Sequence, residues 1–141
     1  VGIEAQDADL ISAKSGLGVE DLLETIIARI PAPTGVDTKP LQALIFDSWF
    51  DPYQGVVVLV RVFEGRVKFK DKIYLKHSEQ AYEVLKIGVN NPRFSEVKEL
   101  GAGEVGMIIC GIKTIRDIKV GDTIVHDAQK MVFFGITHIT W

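Results

Sequence analysis

The stretch RVKFKDKIYLK, residues 66–76, holds the densest chemistry in the sequence. Arg66, Lys68, Lys70, Lys72 and Lys76 fall on even positions, while Val67, Phe69, Ile73 and Leu75 fall on odd ones. Strand side chains alternate between faces, so an unbroken strand would set five cations on one side and an apolar strip on the other. Such a face suits a row of phosphates, gripped by charge and shape rather than by base identity. Lys70-Asp71 reads as a turn that breaks this register, which leaves two adjoining basic patches. The same pattern also fits a solvated strand face whose lysines guard an edge against stray pairing.

No catalytic constellation stands beside it. His77, His126 and His138 lie in three separate segments. None has the spaced partner that a zinc or nucleophile site requires, so no catalytic and no metal-binding residue is assigned. Cys110, the single cysteine, leaves no internal disulfide. It sits between Ile109 and Gly111 in an apolar run, where a buried, inert thiol is expected. Asp47 and Asp51 flank a turn, SWFDPYQG, and nothing sets two carboxylates across a cleft. GAGEVGM, residues 101–107, has the glycine spacing of a phosphate loop, but Met107 stands where the lysine belongs and no helix follows.

One helix and a series of short strands must position these residues. The 141 residues, 47% hydrophobic and 25% charged, allow one domain with a core, or one domain and a piece of another. A net charge of −3 argues against an overall electrostatic grip on nucleic acid and leaves room for a local basic face. No apolar run approaches the roughly 20 residues of a membrane-spanning helix. The opening VGIEAQDADL is acidic, without an initiator Met or a basic leader, and is read as cut from a longer chain.

Val19, Leu22, Leu23, Ile26, Ile27 and Ile30 follow the spacing of a helix with one apolar face. Gly16 and Gly18 allow a tight entry, Glu20 and Asp21 suit its positive end, and Pro31 stops it. PAPTGVDTKP, residues 31–40, reads as a stiff linker. Six apolar segments follow: LQALIFDSWF, GVVVLVRVFEG, DKIYLK, AYEVLKIGV, GEVGMIICGIK and DTIVH. Short, rich in Val, Ile and aromatics, and punctuated by turn formers, they predict a small closed antiparallel β-barrel of six or seven strands. The run Val56–Val60 predicts a central strand or one buried on both faces. KDKI at 70–73 and GDTI at 121–124 read as hairpin turns, each with an Asp placed to bond nearby amides.

PLQALIFDSWFDPYQGVVVLVRVFEG, then DKIYL, GEVGMIICGIK and VGDTIV, closely resembles the second domain of the LepA (elongation factor four) family of translational GTPases. The specific part is the run Asp47 to Asp51, followed by Tyr53 and Gly55-Val56-Val57. VGIEAQDADLISAKSGLGVEDLLETIIARIPAP is similar to the end of that family's GTPase domain. The resemblance implies a mainly β fold, a translation-factor barrel at 41–128 preceded by a strand-helix remnant of an α/β GTPase domain at 1–30. Residues 129–141 would be the start of a further domain or foreign sequence.

Ser12, Ala13 and Lys14 match the family's last guanine-contacting loop. By that likeness the Ala13 amide faces the base oxygen, and Ser12 and Lys14 shape the pocket wall. The phosphate loop, the switches and the Asn-Lys-x-Asp motif would precede this chain. The resemblance therefore implies no cofactor for the chain alone, with GTP and Mg and GTP hydrolysis belonging to the parent.

Implied partners are the ribosome, through small-subunit RNA and proteins, and the parent's own GTPase and later domains. An exposed apolar helix would dock on the barrel or pair with a second copy. The implied location is cytoplasmic, peripheral at the inner membrane at most. The rival readings are a barrel of the elongation factor G or BipA type, and a protein-interaction barrel without an RNA role. Lys70 departs from the family, which usually has Gly at that turn, and so is expected to strain it.

Overall fold

The computed structural model describes residues 7–129. They fall into two compact units, 7–32 and 33–129, and the sequence-based boundaries within 1–6 and 130–141 lie outside the described residues. In the first unit, helix α1 spans Val19–Arg29. Gly18 caps it at φ 72°, with Glu20 and Asp21 in the first turn and Arg29 in the last, charges that complement the helix dipole. None of its residues is buried: Leu23, Ile26, Ile27 and the capping Ile30 are all exposed. The apolar face read from the periodicity exists, with Val19 and Leu22 half-buried and its other members exposed.

The second unit is antiparallel throughout its described pairings. Its strands are β1 (Gln42–Asp51), β2 (Gly55–Glu64), β3 (Val67–Lys68), β4 (Lys72–Leu75), β5 (Gln80–Glu83), β6 (Lys86–Asn90), β7 (Phe94–Glu96), β8 (Glu99–Leu100), β9 (Val105–Ile109) and β10 (Thr123–His126). Each of the six segments singled out in the sequence contains strand. AYEVLKIGV, however, divides into β5 and β6, and the two-residue strands β3 and β8 and the three-residue β7 carry too little pattern to be read.

Eight strands form one sheet in the order β5-β4-β10-β1-β2-β9-β6-β7, and β3 pairs with β8. In a flat sheet β5 and β6 would stand six spacings apart, about 29 Å at about 4.8 Å each. Only Val84 and Leu85 separate them in sequence, and the step from Glu83 to Lys86 reaches at most about 11 Å. The sheet must therefore curl. The two linking residues bond toward both flanks: the Val84 N–H donates to Asp71 O at 2.9 Å, and the Leu85 N–H to Ile109 O at 2.8 Å.

Inside the curl lie Leu41, Ile45, Val60, Ile73, Ile87, Ile108 and their neighbours, each 0–1% exposed. β2 is central, between β1 and β9, and is buried on both faces over part of its length. Val58 and Val60 face the main core, while Val57 packs with Met107, Ile109 and Leu59 on the other side. This explains the uninterrupted valine run.

Residues 33–40 are bonded to the β unit rather than strung out from it. The Glu64 carboxylate accepts the Val36 amide at 2.8 Å and the Lys39 ammonium at 2.9 Å. Asp37 accepts the Ala102 amide at 2.7 Å and bridges to Arg66. The Lys39 ammonium, then the Val36 amide, hold the Glu64 carboxyl below its ordinary value of 4.5. As pH falls through that ordinary value, the unfolded chain takes up this proton before the folded one, so stability present above it is lost on acidification. Glu64→Gln is expected to flatten this part of the acid limb, read as the urea midpoint across a pH series.

Neither Asp-containing turn is a hairpin. β3 pairs with β8 and not with the following β4, and β10 pairs with β1 and β4 but not with the preceding β9. Each Asp does bond amides, as its residue type predicts. Asp71 Oδ2 accepts the Lys68 N–H at 2.8 Å, and Asp122 Oδ1 accepts those of Thr123 at 2.7 Å and the distant His77 at 2.8 Å. Lys70 adopts φ 69°, the left-handed region that its departure from Gly implied. That conformation costs a non-Gly residue about 1–2 kcal/mol, against about 0.4–1 kcal/mol of extra unfolded-chain entropy for Gly. Lys70→Gly is thus expected to raise stability by about 0.5 kcal/mol, measurable as a higher urea midpoint with an unchanged slope.

Candidate nucleic-acid interface

The structure divides the basic ribbon where the turn predicted it, because β3 and β4 belong to different sheets. On the β3 side Arg66 is clamped by two carboxylates, Nη1 to Glu99 Oε1 at 2.7 Å and Nη2 to Asp37 Oδ2 at 2.9 Å. Lys68 also leans on Glu99, at 3.5 Å. Two cations and two anions thus sit together, and this patch has no net charge. Partly exposed pairs of this kind contribute at most about 1 kcal/mol each to stability, yet they cancel the field a phosphate would feel.

Past the turn the cations are arranged differently. The Lys70 ammonium lies 5.4 Å from the Phe69 ring, and Phe69 is exposed rather than continuing the apolar strip. β4 restores the alternation, with Ile73 and Leu75 inward and Lys72 outward. Lys72 lies opposite Glu83 and lines a shallow depression with Tyr82 and Asp127. Lys76 follows the strand, its N–H donating to Thr123 O at 3.0 Å.

Lys76 opens onto a pocket with His77, Lys119, Gly121 and Asp122. There the Lys119 ammonium lies 3.4 Å from His77 Nε2. The sequence reading did not find this pair. Its members are 42 residues apart and meet because the Asp122 carboxylate holds the His77 amide beside the Lys119–Asp122 turn.

In the first unit, Ser12, Ala13 and Lys14 form a tight loop. The Ser12 N–H donates to Leu17 O at 3.0 Å, and the Gly16 N–H to Ser12 O at 2.8 Å. Gly18 closes the loop at positive φ, and a Cβ there would stand 2.8 Å from Leu10 O. Ala13 and Lys14 are exposed, with the turn presented outward. Cys110 is 4% exposed, and burial pushes its thiol up to about 12, which makes it a poor nucleophile. Among the described residues no three His, Cys, Asp or Glu side chains are grouped to hold a metal ion. No described helix is long and apolar enough to cross a membrane.

Comparison with known proteins adds three findings. Residues 55–125 match the family described as Elongation factor Tu domain 2. The chain is 49% identical to Elongation factor 4 of Aquifex aeolicus (strain VF5) and 46% identical to Elongation factor 4 of Nitratidesulfovibrio vulgaris (strain Hildenborough). Each match covers 96% of this chain and 25% of the relative, so the chain spans about a quarter of the curated relatives it matches. Among solved structures, the bacterial selenocysteine-specific elongation factor EF-Sec superposes with a TM-score of 0.66 at 26% identity, over 82% of this chain and 20% of that one.

Proposed function

Since the chain belongs to the Elongation factor Tu domain 2 family, we propose that it is the part of a LepA-type translational GTPase that docks on the small ribosomal subunit and positions the GTPase domain. The observation that carries this reading is the match to Elongation factor 4 along 96% of the chain, through the helix and the strands alike. On this reading the loop Ser12-Ala13-Lys14 completes a guanine pocket whose phosphate-binding parts, with GTP and Mg, lie in the upstream portion of the parent. Helix α1 offers its exposed apolar face to that same portion, or to a second copy when the chain is alone. The parent acts in elongation, back-translocation or rescue of stalled ribosomes, and works in the cytoplasm.

Lys76 is a further proposed contact, and Lys70 and Lys72 carry the RNA contact in preference to Arg66 and Lys68. The latter two are proposed contacts whose charge is already met by Asp37 and Glu99.

Co-sedimentation of the chain with purified 30S and 50S subunits across a salt series tests the proposal. The expected result is binding to 30S that weakens steeply as salt rises, and further with Lys72→Glu and Lys76→Glu. Failure to bind 30S at low salt, with the chain folded, would overturn docking by this piece.

A further inference from the structure

We propose that the end of β4 and the turn before β10 form a phosphate-binding pocket, built on Lys119 and His77, that seats one backbone phosphate of an RNA. The RNA source rests on the ribosome-docking reading; the phosphate chemistry rests on the pocket alone.

The cavity is open to solvent and measures about 310 Å³, ample for a phosphate group and its flanking riboses. Its two central side chains are held in an unusual contact. An ammonium group can only donate, and at 3.4 Å Lys119 Nζ faces a ring nitrogen, His77 Nε2, in place of a carboxylate. A ring nitrogen is a weaker partner for an ammonium than a carboxylate is. Arg66, Lys68, Lys39 and Lys86 instead face carboxylates at 2.7–3.5 Å. No acidic side chain lies within 4.0 Å of Lys119 among the described residues. An oxyanion entering here accepts from Lys119 directly and from the imidazole once it turns an N–H toward the cavity, a charge-assisted arrangement stronger than the one it replaces.

The rest of the lining suits that ligand. Gly121 stands at φ 93° with no heavy atom within 4 Å of the place a Cβ would take, so the approach to the backbone is clear. Asp122, the acid of the lining, is 5% exposed, and its Oδ1 is engaged by the His77 and Thr123 amides. It therefore fixes the turn that carries the two basic groups instead of projecting into the cavity. Lys76 lines the rim.

The test is an amide-shift titration of the ¹⁵N-labelled chain with inorganic phosphate, with a short RNA duplex, and with chloride at matched ionic strength. Expected are shifts centred on His77, Lys119, Gly121 and Thr123 for phosphate and for RNA but not for chloride. Lys119→Ala and His77→Gln should each weaken duplex binding by about threefold or more. Lys119→Ala should also reduce the salt slope by about one, whereas Lys86→Ala, at a lysine paired with Glu96 on another strand, should leave binding unchanged. Shifts no larger than those in chloride, or duplex binding indifferent to Lys119→Ala, would overturn the pocket. Phosphate shifts without RNA shifts would overturn the RNA source. Binding to 30S that persists in Lys119→Ala would overturn the pocket's role and leave ribosome docking intact. Duplex binding through the pocket with no 30S binding would do the reverse.

Discussion

Ile108→Ala is expected to destabilise the β unit by about 2–5 kcal/mol. Ile108 is fully buried in β9, opposite Val58 on β2 and Ile87 on β6. Truncation removes three carbons from a close-packed interior, and the loss includes both their transfer energy and the cavity left behind. The upper half of the range applies where the surroundings cannot close in. Here β9 is hydrogen-bonded on both sides, and the curled sheet surrounds the site, so the backbone has little freedom to collapse. Val105, on the same strand but 47% exposed, provides the control, with Val105→Ala costing under about 1 kcal/mol. Urea unfolding of the two variants decides the matter: equal losses would mean that β9 does not face the core described here.

The strand pattern made most of this fold legible before any coordinates. Val, Ile and aromatic runs between turn formers mark β1, β2, β4, β9 and β10, and the 3.6-residue spacing marks α1. Where the reading ran short, the cause is short length or long range. β3, β7 and β8 have two or three residues each, too few for a period to declare itself. The division of AYEVLKIGV depends on Val84 and Leu85 bonding toward both flanks of the sheet, which no local pattern announces. PAPTGVDTKP has a linker's composition, but Asp37 finds Arg66, 29 residues on, and Ala102, 65 residues on. The same distance problem governs the site. Arg66 and Lys68 stand out by parity along one segment, and the acids that meet their charge come from residues 37 and 99. Lys119 and His77 could not be nominated together until β4 and β10 were seen to pair. As for Ser12-Ala13-Lys14, three residues gain meaning only from their resemblance to a GTPase loop.

Asp122→Ala is expected to cost about 2–4 kcal/mol and to remove the phosphate pocket with it. The side chain is 5% exposed, and its Oδ1 accepts two backbone N–H groups, one local and one from His77 across the β4–β10 seam. Bonds to an ionised acceptor contribute roughly 1.5–3 kcal/mol each, and alanine would leave the Thr123 donor unpaired where water reaches it poorly. The estimate stays below the simple sum because the His77 amide, nearer the surface, can turn to solvent. Asp122→Asn is the sharper control. Its amide oxygen can keep the two bonds, while the amide nitrogen in place of the buried, unpartnered Oδ2 brings donors to a spot with no acceptor among the described residues. Asn should therefore cost about 1 kcal/mol and retain the geometry of the turn. If the carboxylate matters by position, the Asn variant binds phosphate as the parent chain does, or better for want of a nearby negative charge. If instead Asp122 acts through its charge alone, Asn and Ala would fail alike, and the turn would not be what holds Lys119 beside His77.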